Sequence, residues 1–363
     1  MISTCKAVHQ LLPNFSPRDA IGNEAVMMQK ILRERGLRSE IYAEHGEAAS
    51  VDELLASDLG HAALLYHFSV ASTIPGRIAP LPVLKLVRYH NITPPWFFNN
   101  QSELTAQQAC SLGRRQIPMV GVIADAVLAD SAYNAAEISP YTVRPPTVMP
   151  LLRDYDHLVQ LTNNIGLSKA QLNVPKPSLL FVGRLAPNKC QQDLLILLHL
   201  AHRHITRDLQ LILVGGFFST DFHRLFCDLA AHLGLRISTD VNAADADVII
   251  PKDVSDADMA ALYRQARVFV SMSEHEGFGV PLVEAMFFDL PILAHRATAV
   301  PETVGDAGLL VDKNDWPATV AALRAVLQDD GLRTYLISAM QQRRKDLSLS
   351  HSKQLFSTWL DAL

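Results

Sequence analysis

Short apolar runs alternate with stretches of helical periodicity along almost the whole chain. In the first half, Lys6–Leu12 reads as a strand and Gly22–Arg35 as an amphipathic helix. Ile41–Ala43, Ala63–Phe68, Leu84–Tyr89, Ala126–Ala129 and Thr147–Met149 follow as strands. A helix covers Glu103–Val120, and Pro118 should weaken its end. The second half repeats the scheme. Leu179–Val182, Leu209–Val214, Asp247–Ile250, Val268–Ser271, Ile292–Ala294 and Leu309–Val311 read as strands. Gln191–His204, Asp221–Leu233, Asp256–Ala266, Pro281–Phe287 and Pro317–Gln328 read as the helices among them. Strands that alternate with helices imply parallel sheets with right-handed crossovers. The expected class is α/β, with two doubly wound domains facing each other across a cleft.

A length of 363 residues also favours two domains. The first should cover 1–165 and the second 179–345. A linker over 166–178 is marked by Pro175, Pro177 and weak periodicity. Residues 346–363 read as a C-terminal helix, with Leu355, Trp359 and Leu363 at four-residue spacing, that packs back on a domain. The formal charge is −5, from 32 basic and 37 acidic residues, and neither half is basic, so no nucleic-acid partner is expected. The 4 cysteines form no CxxC pair, which argues against a zinc knuckle or a disulfide framework. The first twenty residues lack a leader pattern and no apolar run is long enough to span a bilayer. The expected location is the cytoplasm, allowing peripheral contact at the inner face of the membrane.

Two segments carry chemistry. In Ser271–Met286 a buried strand runs into a Gly-containing loop and then a helix. Pro281 suits the first helical turn, and Gly277 and Gly279 let backbone approach a ligand closely. Free N–H groups and the helix dipole there suit a phosphate. Glu276 precedes this turn and Glu284 lies about one turn inside the helix, so the pair can address opposite ends of an elongated ligand. A carboxylate is a good acceptor for vicinal hydroxyls of a ribose or a hexose. The plainer reading is a helix entry with two solvated glutamates. In Phe181–Lys189, Arg184 and Lys189 can converge at the strand's carboxyl end, where open α/β sheets bind ligands. Two cations there would neutralise a diphosphate and stabilise it as a leaving group. Singly, each would be a solvated loop charge.

Two other patterns carry less. Asp-x-Asp occurs at 154/156, 245/247 and 256/258, but at a helix start or in turns, and no metal is expected. His199, His202 and His204 crowd one helix and read as an exposed face without a completing ligand.

Together the two segments resemble the family-four retaining glycosyltransferases, which have the GT-B architecture of two Rossmann-like domains. The E-x7-E pair around G-F-G-x-P is matched by Glu276 and Glu284, and GRL-x-P-x-K by Gly183, Arg184, Leu185, Pro187 and Lys189. Pro301–Leu310 resembles a further segment, PE-x-x-G-x-x-G-L-L. The resemblance is strong over 178–330 and weaker before 165. It implies that Arg184 and Lys189 hold the donor diphosphate and that Glu276 binds donor-sugar hydroxyls. Gly183 belongs to that loop. Gly277, Phe278 and Gly279 would present amides, and Glu284 would take the ribose. The base would lie near Ile250–Lys252. In the first domain, His90 matches a histidine facing the donor sugar, and Gly22 the N-terminal glycine loop beside the phosphates. Ser131, at a strand–helix corner, could simply cap its helix.

The implied reaction moves a hexose, with mannose preferred, from a GDP- or UDP-linked donor to an acceptor hydroxyl with retention and without a metal or other cofactor. The departing phosphate would help remove the acceptor proton. The acceptor would be a glycan or a polyprenyl-diphosphate-linked oligosaccharide of polysaccharide biosynthesis. Two alternatives stay open: a nucleotide-sugar epimerase on the same fold, and a non-catalytic sugar-nucleotide-binding subunit. A dehydrogenase is disfavoured because no GxGxxG follows a first strand.

Overall fold

The computed structural model describes residues 4–17, 19–164 and 174–363. The chain divides into two compact units. The first holds the described parts of Met1–Asn99, Leu104–Arg153 and Leu347–Leu363; the second holds Asn100–Glu103 and the described parts of Asp154–Asp346.

The first unit begins with β1 (Ala7–Phe15), α1 (Ala20–Glu34), β2 (Ile41–Gly46), β3 (Ala49–Ser50) and α2 (Val51–Leu55). It continues with β4 (Ala62–Phe68), α3 (Ile74–Ile78), β5 (Leu84–Tyr89), α4 (Leu104–Ile123), β6 (Ala126–Ala129), α5 (Ala132–Ile138) and β7 (Thr147–Val148). The strands form a parallel sheet in the order β3-β2-β1-β4-β5-β6-β7. Gln10 pairs with Ile41 on one side and Leu65 on the other, so β1 is where the strand order reverses. Every residue of β4 and β6 is buried, which is why both read as unbroken apolar runs. The α4 helix continues past Pro118 to Ile123.

The second unit takes α6 (Tyr155–Asn164), β8 (Ser178–Val182), α7 (Gln191–His204), β9 (Gln210–Val214), α8 (Thr220–His232), β10 (Ile237–Ser238), β11 (Val248–Ile249) and α9 (Asp256–Gln265). It goes on through β12 (Val268–Ser271), α10 (Val280–Phe287), β13 (Ile292–His295), α11 (Val300–Val304), β14 (Leu309–Val311), α12 (Trp316–Gln328) and α13 (Asp330–Leu347). Its sheet is parallel in the order β10-β11-β9-β8-β12-β13-β14. The chain winds from β8 toward β9 and later returns to β12 on the other side. The switch point therefore lies between β8 and β12, where doubly wound sheets place ligands at the strands' carboxyl ends.

The last helix, α14 (Leu349–Asp361), packs back as expected, and the domain it joins, left open by the sequence, is the first unit. Ser348 caps it, and Phe356, Trp359 and Leu360 pack with Val8, Leu32, Leu65 and Leu128. The passage into the second unit falls at Arg153–Asp154. Most of the expected linker, 166–178, lies outside the described residues. Helix α6 belongs with the second unit because Tyr155 stacks on Phe287 of α10, ring centroids 5.0 Å apart. Residues Asn100–Glu103 do so because Glu103 accepts from Ser219 Oγ at 2.7 Å and Ser102 Oγ donates to Asp221 at 2.8 Å. Among the described residues, no helix is long and apolar enough to cross a membrane.

Candidate functional site

The loops after β8 and β12 meet at the switch point of the second unit. Past β8, Pro187–Lys189 forms a single 3-10 turn, and Arg184 stands exposed with its guanidinium 5.6 Å from the Phe218 ring. The buried side chain of Asn188 donates to the His275 carbonyl at 3.4 Å, and Glu274 N–H donates to the Asn188 carbonyl at 3.0 Å. These bonds tie the two loops together. Lys189 Nζ then meets Glu276 Oε2 at 2.6 Å. Two of the sequence-derived candidates, 87 positions apart, are thus direct partners.

Thr298 and Thr303 hold the turn that follows. Glu276 N–H donates to Thr298 Oγ1 at 2.9 Å, and Thr303 Oγ1 donates to the Phe278 carbonyl at 2.5 Å. Gly279 caps α10 with φ +92°, a left-handed conformation that disfavours other residues, and Pro281 follows in the first turn. Gly277 lies between Glu276 and this cap. Below the turn, Lys313 Nζ reaches Asp193 at 2.6 Å and Glu274 at 2.5 Å. Burial opposes the Lys313 charge, but those two hydrogen bonds raise its pKa above the ordinary lysine range.

Glu284, in the second turn of α10, is buried and accepts a hydrogen bond from Tyr263 Oη at 2.7 Å. Tyr263 is itself buried and stacks on Phe288, centroids 5.1 Å apart and planes 3° from parallel. Beside these loops, the ends of β8, β9 and β11 enclose a cavity of about 870 Å³. Gly183, Arg184, Phe217, Ile250 and Lys252 contribute to its wall. It is the space next to the strand end where the base was expected.

His90 and Gly22 belong to the first unit. Gly22 sits in the first turn of α1, where its N–H donates to Asp19 Oδ1 at 2.7 Å. A Cβ there would lie 1.9 Å from the Ser16 carbonyl oxygen, so packing of the β1–α1 turn demands glycine. The His90 imidazole is buried with both ring nitrogens engaged: Nε2 with His67 Nδ1 at 3.0 Å and Nδ1 with Asp130 Oδ2 at 3.1 Å. Arg88 clamps Glu24 with two hydrogen bonds, 2.8 and 3.1 Å, and ion-pairs with Asp130 at 2.8 Å. Burial opposes the Arg88 charge, and Asp130 and Glu24 raise its pKa. Among the described residues, Glu24, His67 and His90 have the composition of a metal site, their ligand atoms within 4.8 Å of one another. The Arg88 guanidinium already occupies both Glu24 oxygens, which leaves that carboxylate poorly suited to a second cation.

Sequence reasoning missed Tyr263, His67, Arg88 and Asp130 as partners of the candidates. A histidine and an arginine inside otherwise apolar strands were the available signal, since such groups are buried only with partners. The triple histidine needs a correction. His202 is buried, not exposed, because its Nε2 bonds the Leu209 carbonyl at 2.8 Å where β9 begins. Among the acidic pairs, Asp258 completes a capping box with Ser255, and Asp247 accepts from Arg236 N–H at 2.9 Å. Ser131 does cap α5, accepting from Asn134 N–H at 3.2 Å.

Residues 167–343, just under half of the chain, match the family model for "Glycosyl transferases group 1". O-antigen chain mannosyltransferase B of Escherichia coli is 48% identical over 80 residues, 22% of this chain and 21% of that protein. D-inositol 3-phosphate glycosyltransferase of Corynebacterium kroppenstedtii is 31% identical over 173 residues, 46% of this chain and 36% of that protein. The chain therefore spans well under half the length of these two curated relatives. Among solved structures, the Anabaena protein HepE, in complex with UDP and glucose, superposes with TM-score 0.71 at 15% identity, covering 98% of this chain and 100% of that one. Sucrose-phosphate synthase from Thermosynechococcus elongatus gives TM-score 0.73 at 16% identity, with 98% and 100% covered. At such identities the likeness is one of fold, and the fold is the expected GT-B class.

Proposed function

We propose that this chain, which carries a glycosyl transferases group 1 domain on a GT-B fold, moves a hexose from a nucleotide diphosphate sugar to a hydroxyl of a growing glycan, with retention and without a metal. The observation that carries the reading is the meeting of the Arg184–Lys189 loop with the Glu276–Gly279 turn at one switch point, Lys189 and Glu276 being 2.6 Å apart. A cation and a carboxylate held side by side suit the junction of a phosphate with a polyhydroxylated sugar. Arg184, Lys189 and the amides opening α10 would take the diphosphate. Its departure builds negative charge, and preorganised cations and N–H groups stabilise that charge more than they stabilise the bound donor. Glu276 would hold sugar hydroxyls, Glu284 the ribose, and the cavity of about 870 Å³ the base. No carboxylate has been assigned as a nucleophile, so the reading keeps same-face attack, with the leaving phosphate accepting the acceptor proton.

Mannose is the preferred donor sugar, supported by the stretch shared with the E. coli mannosyltransferase, and GDP-mannose is the donor proposed for it. A role in polysaccharide biosynthesis is supported by that protein and by the capsular polysaccharide biosynthesis glycosyltransferase CapM of Staphylococcus aureus, 32% identical over 89 residues, 24% of this chain and 23% of that protein, and a lipid-linked oligosaccharide is the acceptor proposed within it. The test is a panel of UDP-, GDP- and ADP-sugars read by thermal shift, followed by product analysis with glycan acceptors in the presence of a chelator. Stabilisation by one nucleotide sugar and an acceptor-dependent product with the donor's anomeric configuration are expected. Altered free sugar formed without acceptor would favour the epimerase, and binding with no turnover the non-catalytic subunit.

A further inference from the structure

Six polar side chains from different elements meet inside the first unit: Gln10 of β1, Glu24 of α1, His67 of β4, Arg88 of β5, His90 just past β5 and Asp130 just past β6. Gln10, Glu24, His67 and Arg88 are fully buried, and the His90 and Asp130 side chains are 2% and 3% exposed. In so dry a place each short polar contact needs one hydrogen and one lone pair from the residues themselves.

The contacts can be solved in order. The Ala25 carbonyl only accepts, so the Gln10 atom 2.8 Å from it is Nε2, and Gln10 Oε1 faces His67 Nε2, also at 2.8 Å. An amide oxygen only accepts, so His67 Nε2 carries a hydrogen. Burial first, and then the neighbouring His90 and Arg88, hold the His67 pKa well below the ordinary histidine value. His67 is therefore neutral and its Nδ1 is a bare lone pair. That lone pair faces His90 Nε2 at 3.0 Å, so His90 Nε2 carries a hydrogen. His90 Nδ1 faces Asp130 Oδ2 at 3.1 Å, and a proton must lie between them. Charge points the same way. Arg88 stands between two carboxylates, Glu24 and Asp130, each 2.8 Å from its Nη2. One further proton in the His90–Asp130 pair makes the buried cluster neutral, and the ion pair of Arg88 with Asp130 Oδ1 favours its place on His90.

We infer that Gln10 and His67 are positioning residues that fix the hydrogens of His90, so that its imidazole carries a hydrogen on both nitrogens and offers no lone pair. This rests on reading His90 as the histidine of the donor site. Its consequence there is that His90 contributes charge and shape to transfer and never takes the acceptor proton. That role falls to the leaving phosphate.

The test is long-range proton–nitrogen correlation NMR on the full chain labelled with nitrogen-15 histidine, with His67→Asn and His90→Asn used for assignment. The expected spectrum shows His67 with a protonated Nε2 and a bare Nδ1, and His90 with two protonated nitrogens. A bare ring nitrogen on His90, or a hydrogen on His67 Nδ1, overturns the inference. In Gln10→Leu the His67 tautomer is released and His90 should gain a bare nitrogen; an unchanged His90 signature contradicts the role given to Gln10. Should that variant not fold, the native spectrum still decides. The readout needs neither donor nor turnover, so its failure is separable from failure of the glycosyl-transfer reading.

Discussion

Tyr263→Phe removes one hydroxyl and keeps the ring. The native Tyr263 Oη donates to Glu284 Oε2 at 2.7 Å with both residues buried. The stacking on Phe288 survives the change, as does the contact with Phe269 at 6.1 Å, so no cavity term competes. What remains is the loss of a donor from a buried carboxyl oxygen, about 1–3 kcal/mol. For a unit of roughly 150–250 residues each kcal/mol lowers Tm by about 2–4 °C, so the fall should be roughly 2–12 °C. Glu284 is also the proposed ribose ligand. A loosened carboxylate weakens donor binding by about tenfold for each 1.4 kcal/mol of lost orientation, with little change in kcat. Calorimetric unfolding and donor titration on native and variant protein read both effects. Unchanged Tm together with unchanged donor Kd would refute the claim that Tyr263 sets the position of Glu284.

The other predictions are briefer. Arg184→Ala and Lys189→Ala should each lower kcat about 100-fold or more while Tm moves by only a few degrees, since both groups are proposed to act on the leaving diphosphate; normal turnover in both removes the leaving-group argument. Trp359→Ala or Phe356→Ala, in the helix that closes the first unit, should cost about 3–5 kcal/mol in denaturant unfolding; a loss below 1 kcal/mol, roughly, would mean α14 adds little to that core. His67 has a lowered folded-state pKa, so the unfolded chain binds its proton first as pH falls. Stability should therefore drop below about pH 6.5, by up to about 1.4 kcal/mol per pH unit from this group, and His67→Gln should flatten that slope; an identical slope would contradict it.

The parallel strands were legible because strands buried on both faces are mostly apolar, and β6 and β12, buried along their whole length, begin and end where their runs do. The helices α2, α3 and α11, of five residues each, are too short to show a period. Helix α13 went unread because its buried positions, Leu336, Met340 and Leu347, share one face but are sparse in a polar segment rich in Arg, Gln and Lys. Helix α6 could not be assigned to the second unit from local pattern, because its allegiance is set by the stacking of Tyr155 on Phe287, a contact across more than a hundred positions. At the site, the phosphate-type turn and the glutamates were visible as local motifs. Their partners were not. Tyr263 lies on an ordinary amphipathic helix, and the Gln10–His67–His90–Asp130 chain joins β1 and β4 to the residues just past β5 and β6, whose register only the folded sheet determines.

The central claim is that the C-terminal unit grips a sugar nucleotide by its diphosphate. A crystal structure with saturating GDP-mannose, or with whichever sugar nucleotide most raises Tm, tests it most directly. The account predicts diphosphate oxygens within hydrogen-bond distance of Arg184, Lys189 and the amides at Gly279 and Val280. A nucleotide bound elsewhere, or with its diphosphate turned away from those four groups, would contradict it.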